Sequence, residues 1–522
     1  MKKILIYVLI TCFATSAFAQ KKSKEKVNPQ NARRIEVQIK GLSDTTLLLG
    51  YHYGSKKLVL DTIRLDAQGR GAFVGDTLLD GGLYLVITPN FRYFEMILDE
   101  NQRFSVITDT TDLFGKLQFI GSEANEVFLR YQRKSSEIYV TRQPYFEKLK
   151  LYYDADTTKM SKKQLETRRD SIAILQAHIK QLREEMISYE NQIIANHPTS
   201  LLASILNTTK ELEIPDYPRN EQGEITDSLF KYTYMKRHYF SRVNLGDDRL
   251  LRTPVYEGKL EQYFDRELIQ VPDSIITAVD ALLADILAQE GKGYEGRMYY
   301  YTLNHLFMKY QNPKYMGLDN VFVHLMKDYY LPHKLPARVI ADTAYMAKVK
   351  DRYDKTVFNQ IGATAPDLLL YNNKNFWQRL HSIDADFTVV YFYDTDCGHC
   401  KKIIPEWHDL FVANKFRERG VACVLIYTQT DTTHWQKFIA EKSLQDCYNV
   451  FDPYQNTNFR TLYDIYSTPV SYVFDRNKKI IAKRLPPETI VELLNHELDK
   501  KKKQGSAQPA KQKTLPPAKT KK

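Results

Sequence analysis

The hydrophobic rhythm of the chain changes twice, and the changes divide it into three segments. Over residues 34–120 apolar and polar positions alternate with period two. Ile35-Glu36-Val37-Gln38-Ile39 is the clearest stretch, and short apolar runs follow at 46–49, 58–63, 83–87 and 104–107. Turn residues stand between them at Gly41, Gly54, 66–69, Gly81-Gly82 and Pro89-Asn90. Short strands at this spacing predict an all-β unit, a sandwich or small barrel, and we assign a sandwich. From 121 to 354 the period lengthens to that of a helix, predicting an all-α domain. Ser122 is placed as the first N-cap, and Ile172, Leu175, Ile179, Leu182, Met186, Tyr189 and Ile193 form a 3-4 seam with charges between them. Such a seam serves either a long helix packed within its own domain or a coiled coil joining two copies into a homodimer through 172–193. Asn196-His197-Pro198-Thr199-Ser200 ends that helix and caps the next. The tyrosines at 299, 300, 301, 310, 315, 329 and 330 either pack a core or line a peptide-binding surface. From 355 to 499 buried apolar strands return at 387–392, 421–427 and 470–474, giving an α/β domain.

The chemistry sits where the strand 387–392 ends. It breaks at Asp394-Thr395-Asp396, and Cys397-Gly398-His399-Cys400 opens a helical pattern at once. Two cysteines three positions apart at a helix start face the same way and can close a small disulfide. The helix N-terminus supplies partial positive charge and unpaired N–H groups, which favour a thiolate on Cys397. A thiolate is the attacking species in disulfide exchange. Cys397 is therefore the expected nucleophile and Cys400, one turn in, the resolving thiol. His399 can stabilise the thiolate by its charge and dipole, while the Asp396 carboxylate opposes it. Zinc needs four ligands, commonly as two close pairs. Cys423 and Cys447 form no such second pair, so no metal and no cofactor is expected. Cys423, in the run 421–427, and Cys447 are expected to be buried thiols or to pair with each other.

Further residues carry a resemblance. Pro405 stands five residues after Cys400, Ser467-Thr468-Pro469 precedes the run 470–474, and Ile361-Gly362-Ala363-Thr364-Ala365-Pro366-Asp367 lies upstream. Together with the cysteine pair they resemble the TlpA-type, thioredoxin-like domains of exported bacterial proteins, over residues 355–499. Cys-Gly-His-Cys is also the setting seen in protein disulfide isomerases. The resemblance implies a thioredoxin fold, a cis Thr468–Pro469 bond facing the disulfide, and protein-disulfide oxidoreductase activity. It makes Thr468 and Pro469 the residues that hold an extended client peptide. Clients with thiols or disulfides and a membrane electron donor or acceptor are then the partners. Residues 34–120 resemble the β domain that precedes such domains. Residues 225–330 resemble an uncharacterised helical domain found between the two, through 247–254, Tyr263, Asp280 and 310–319. Two positions depart from the thioredoxin pattern: Asp396 replaces a tryptophan, and Tyr391 replaces the buried acid expected to take a proton from Cys400. A competing reading makes the thioredoxin-like domain an auxiliary in an envelope binding protein whose work is done by the first 354 residues.

Charge and the chain ends add the setting. The formal charge is +11, but 1–19, 20–34 and 500–522 carry +2, +5 and +9, which leaves 35–499 at −5. No basic stripe on a folded surface is implied, so nucleic acid is not an expected partner. The Lys/Pro/Ala-rich stretch 500–522 has little to bury and is expected to be disordered. Met1-Lys2-Lys3, an apolar run and Ala17-Phe18-Ala19 before Gln20 read as a signal peptide over 1–19, followed by a linker over 20–33. The expected location is the periplasm, where disulfides persist. Mass spectrometry of the mature protein is expected to show Gln20 as its first residue. An intact Met1, or a lipid on Cys12, would overturn this assignment.

Overall fold

A computed structural model describes residues 33–505. The signal segment 1–19, the linker up to 32 and the tail from 506 lie outside the described residues. The chain divides into two compact units. One contains the residues up to Glu211 with 240–243 and 248–259; the other contains 212–239, 244–247 and everything from Leu260 on. The helical run of 121–354 is thus shared between the units.

The first unit opens with eight strands: β1 (Arg33–Lys40), β2 (Thr46–Tyr53), β3 (Lys56–Arg64), β4 (Arg70–Gly75), β5 (Gly82–Ile87), β6 (Tyr93–Leu98), β7 (Arg103–Asp109) and β8 (Gln118–Ile120). They form two four-stranded sheets, ordered β4-β1-β7-β8 and β3-β2-β5-β6. β1 and β7 run parallel; the remaining pairs are antiparallel. Period-two alternation sends Ile35, Val37, Ile39, Phe73 and Val106 from one sheet and Leu47, Leu49, Val86 and Met96 from the other into one core, so the unit is a sandwich. Ser122 caps the helix Glu123–Asp154. The amide of Asn125, on that helix, accepts from the Ile97 N–H at 2.7 Å and donates to the Ile97 carbonyl at 2.8 Å, joining it to edge strand β6.

That helix and Lys162–Asn196 form a helical hairpin. Ser161 and Gln164 close a capping box at the start of the second helix. Arg168 donates to the Tyr152 carbonyl, Lys134 pairs with Glu185 at 2.6 Å, and Tyr145 stacks on His178. The seam from Ile172 to Ile193 is the half-buried face of its helix. Within the chain this helix packs against Glu123–Asp154.

In the second unit, helices Pro272–Glu290, Arg297–Gln311 and Asp319–Leu325 bury Ile275, Val279, Leu283, Leu306, Phe307 and Phe322. Tyr299, Tyr310 and Tyr330 belong to this core, whereas Tyr315 is exposed. Seven strands follow: β9 (Leu369–Asn372), β10 (Trp377–Arg379), β11 (Phe387–Tyr393), β12 (Val421–Tyr427), β13 (Tyr448–Phe451), β14 (Val470–Asp475) and β15 (Ile480–Lys483). The sheet order is β10-β9-β13-β12-β11-β14-β15. β11, β12 and β13 are parallel, and β14 is antiparallel to β11. Every residue of β11 and β12 is buried, because side chains cover both faces of the sheet. Helices Gly398–Ala413, Thr432–Glu441 and Pro487–Gly505 cover one face; Leu368, Leu380, Phe459 and Tyr463 cover the other.

Buried charges tie the helices of this unit to the sheet. Lys483 Nζ on β15 donates to Asp319 Oδ2 at 2.5 Å and to the Asn359 carbonyl at 2.9 Å. Asp464 accepts from Arg352 at 2.9 Å and from Arg484 at 2.6 Å. The last helix, Pro487–Gly505, runs six residues into the stretch 500–522. Lysines are good helix formers, and Lys501 pairs with Asp386.

Asp319→Ala would leave the Lys483 ammonium buried without its carboxylate, at an expected cost of about 3–5 kcal/mol. The apolar pair Asp319→Leu with Lys483→Met should recover most of that loss. Urea unfolding followed by tryptophan fluorescence reads it directly, since Trp377, Trp407 and Trp435 all lie in the C-terminal α/β domain. A double variant no more stable than Asp319→Ala would contradict this account.

Candidate active site

β11 delivers the cysteine pair. The strand ends at Tyr393, and Asp394 turns the chain: its Oδ1 accepts from the Asp396 N–H at 2.9 Å and its carbonyl accepts from the Cys397 N–H at 3.3 Å. Gln429 Nε2 donates to Asp394 Oδ2 at 2.7 Å, fixing the turn from beyond β12. Cys397 is then the N-cap of helix Gly398–Ala413, with extended backbone dihedrals, and its carbonyl accepts from the Lys401 N–H. The first-turn N–H groups have no helical acceptor and gather around its sulfur. Pro405 lies within this helix.

The opposite side comes from β14. Phe392 pairs with Val470, so residues 468–469 lie alongside the chain as it leaves β11. The Thr468–Pro469 bond is cis, as the thioredoxin resemblance implied. The Cys397 S–H donates to the Thr468 carbonyl at 3.2 Å. The Asp394 N–H meets the Cys400 sulfur at 3.5 Å. The structure thus brings Cys397, Cys400, Thr468 and Pro469 together. His399 enters differently: its ring is exposed, and its contact with the Cys397 sulfur is through the backbone N–H.

The two thiols differ sharply. Cys397 is half-buried and Cys400 is fully buried. Burial pushes Cys397 up, but hydrogen bonds from the Cys400 N–H and thiol, the Thr468 side chain and the His399 N–H outweigh it. The net effect holds Cys397 below the ordinary cysteine range. Burial pushes Cys400 up to about 12, with the Asp394 N–H only partly offsetting it. Asp396 is exposed, so solvent screens its carboxylate from the site. Tyr391 lies buried against Trp407, and burial carries its hydroxyl well above the usual phenol range, so it does not replace a buried acid as proton acceptor.

Residues without a sequence motif support the loop that carries Thr468. Arg352 holds Asp464, the Lys355 ammonium donates to the Tyr466 hydroxyl at 2.9 Å, and Asn359 donates to the Leu462 carbonyl at 3.2 Å. All three lie on or just after helix Thr343–Thr356, more than a hundred residues upstream. Arg352 and Lys355 share a face of that helix and Asn359 lies just past its end, but nothing in the sequence names their target. Cys423 and Cys447 are free, buried thiols in this structure.

A dithiol at the N-terminus of the helix following the central strand of such a mixed sheet defines a thioredoxin-like domain. Residues 361–483 match the AhpC/TSA family, and residues 175–348 match a domain of unknown function, DUF5106. A domain of a possible thiol-disulfide isomerase from Cytophaga hutchinsonii is 34% identical, over 27% of this chain and 96% of that one, with a TM-score of 0.26. A thioredoxin-like protein from Bacteroides caccae is 16% identical over 55% of this chain and 99% of its own, with a TM-score of 0.42. The thioredoxin domain of a thiol-disulfide oxidoreductase from Bacteroides vulgatus is 21% identical over 26% and 97%, with a TM-score of 0.25. No curated protein matches the chain. The C-terminal domain belongs to the thioredoxin-like thiol-disulfide oxidoreductase family, carried here behind a β-sandwich and a helical region.

Since only a thiolate alkylates at an appreciable rate, reactivity climbs with pH through the thiol pKa and levels off above it. Iodoacetamide labelling read by peptide mass spectrometry should show Cys397 reaching its plateau at lower pH than an ordinary cysteine. Cys400, pushed up to about 12, should stay unlabelled at neutral pH. Equal labelling of both would refute the asymmetry.

Proposed function

We propose that the protein is a periplasmic thiol-disulfide oxidoreductase that exchanges disulfides with client proteins through Cys397 and Cys400. The observation that carries this reading is the asymmetry of the pair: one accessible sulfur held toward the thiolate, and one buried sulfur held as a thiol. In the reducing direction the Cys397 thiolate attacks one sulfur of a client disulfide, forming a mixed disulfide and releasing the other client sulfur as a thiolate. Cys400 then gives up its proton and attacks Cys397. A Cys397–Cys400 disulfide forms, the second client sulfur leaves, and the departing client sulfur takes the proton. Two electrons have passed to the client, and a membrane electron donor would return them; the reverse sequence would oxidise a client dithiol. Thr468 and Pro469 border Cys397 and would hold the client backbone in extended form. The His399 ring, at the mouth of the site, would add positive charge when protonated.

Cys397→Ala should abolish insulin-disulfide reduction. Cys400→Ser should stop turnover at the first step and accumulate mixed disulfides, recoverable with their clients from periplasmic extracts under non-reducing conditions. Activity surviving in Cys397→Ala would remove the site assignment.

A further inference from the structure

A second set of reactive side chains lies away from the dithiol, in the same domain. Cys423 pairs with Val389 across the sheet, four residues (about 13 Å of strand) before the end of β11 that carries the dithiol. Its side chain is buried, and the Trp407 indole N–H reaches its sulfur at 3.4 Å. Cys447, just before β13, is buried beside it and shares a thiol hydrogen bond with it. Asp446 places Oδ1 2.6 Å from Nε2 of His408, which comes from the active-site helix. The candidate ligand atoms of His408, Asp446 and Cys447 all lie within 4.8 Å of one another. Arg417 stands 3.9 Å from the other Asp446 oxygen. A cavity of about 410 Å³, lined by Cys423, Asp446, Cys447, Phe411 and Arg417 among others, opens onto the cluster.

We infer that His408, Asp446 and Cys447 form the core of a site for one divalent cation of the zinc class, with the Cys423 sulfur, which lies outside that 4.8 Å group, moving in as the fourth ligand. Two sulfurs, one imidazole and one carboxylate are the donor types that a tetrahedral zinc or cobalt ion takes. Binding releases the two thiol protons to solvent and moves no electrons. The imidazole would take the metal through Nε2, leaving its N–H on Nδ1. Ligand atoms around such an ion stand roughly 3.3–3.8 Å apart, so the His408–Asp446 contact must open slightly and the Cys423 sulfur must close on the other three. Asp446, with its side chain 34% exposed, is the ligand free to move. Two thiolates, a carboxylate and a dication sum to one negative charge, which Arg417 is placed to balance. The Trp407 N–H is already aimed at Cys423, where it would stabilise the thiolate from outside the ligand set. The site is independent of the proposed disulfide exchange.

The test uses the full chain carrying Cys397→Ser and Cys400→Ser, so that the dithiol cannot bind metal. Reduced anaerobically and titrated with Co²⁺, this protein should take up one equivalent. It should show the intense visible d–d bands and the sulfur-to-cobalt charge-transfer band of a tetrahedral thiolate site, bleached by one equivalent of Zn²⁺. Cys447→Ser should remove much of the charge-transfer band. His408→Gln and the less invasive Asp446→Asn should each weaken uptake by about tenfold or more, with circular dichroism reporting that they remain folded. Absence of the bands, uptake indifferent to both His408→Gln and Asp446→Asn, or a Cys423–Cys447 disulfide in the isolated protein with no metal uptake after reduction would each overturn the proposal.

Discussion

The site depends on one register. Phe392 on β11 lies opposite Val470 on β14. A shift of two residues would carry Thr468 away from Cys397 while leaving the same strands paired; a shift of one would also turn the buried faces outward. The register is held by more than main-chain bonds. Tyr472 sits in the apolar core on one face of the sheet, Val473 packs with the core on the other, and the Ser471 hydroxyl donates to the Leu485 carbonyl at 2.8 Å. Chemistry at two sulfurs therefore rests on side-chain packing several residues away.

The same principle reaches into the helices of the second unit. Asp464 is almost fully buried and is met by two arginines, so the loop between the short helix at 459–462 and β14 has few alternative positions. Lys355 adds a hydrogen bond to Tyr466 in that loop, and Asn359 one to the Leu462 carbonyl at the end of the short helix. The region matching DUF5106 ends at residue 348, within the helix that supplies these contacts. The residues that make these contacts, Arg352, Lys355 and Asn359, lie just beyond the matched region.

Much of this was legible in the sequence, for identifiable reasons. The cysteine pair and Pro469 could be placed because each adjoins a continuous apolar strand, and β11 and β14 are buried along nearly their whole length. β1, β2, β3, β5 and β7 announced themselves by runs of apolar residues between turns. β4, β6 and β8 did not: Gly71 and Gly75 dilute β4, Met96-Ile97-Leu98 breaks the alternation in β6, and β8 has three residues. The helical run gave no sign that it is divided between two units after residue 211. Contacts between distant charges left no local pattern: Lys483 and Asp319 are 164 residues apart. The thiol, imidazole and carboxylate around Cys447 were equally hidden, since they come from different elements and form no spaced motif. The partner of the 3-4 seam was likewise unreadable, because a helix shows its apolar face but not what covers it.

The amide of Asn125 has a consequence at the rim of the sandwich. β6 is an outer strand of its sheet, and an outer strand offers a row of unused N–H and C=O groups to any extended chain that approaches. Asn125 takes both groups of Ile97 at once, presenting its side-chain amide as a foreign backbone would. A polypeptide trying to extend the sheet would find the C-terminal end of that ladder occupied and a helix standing in its path. One side chain thereby guards this edge of the sandwich against strand addition.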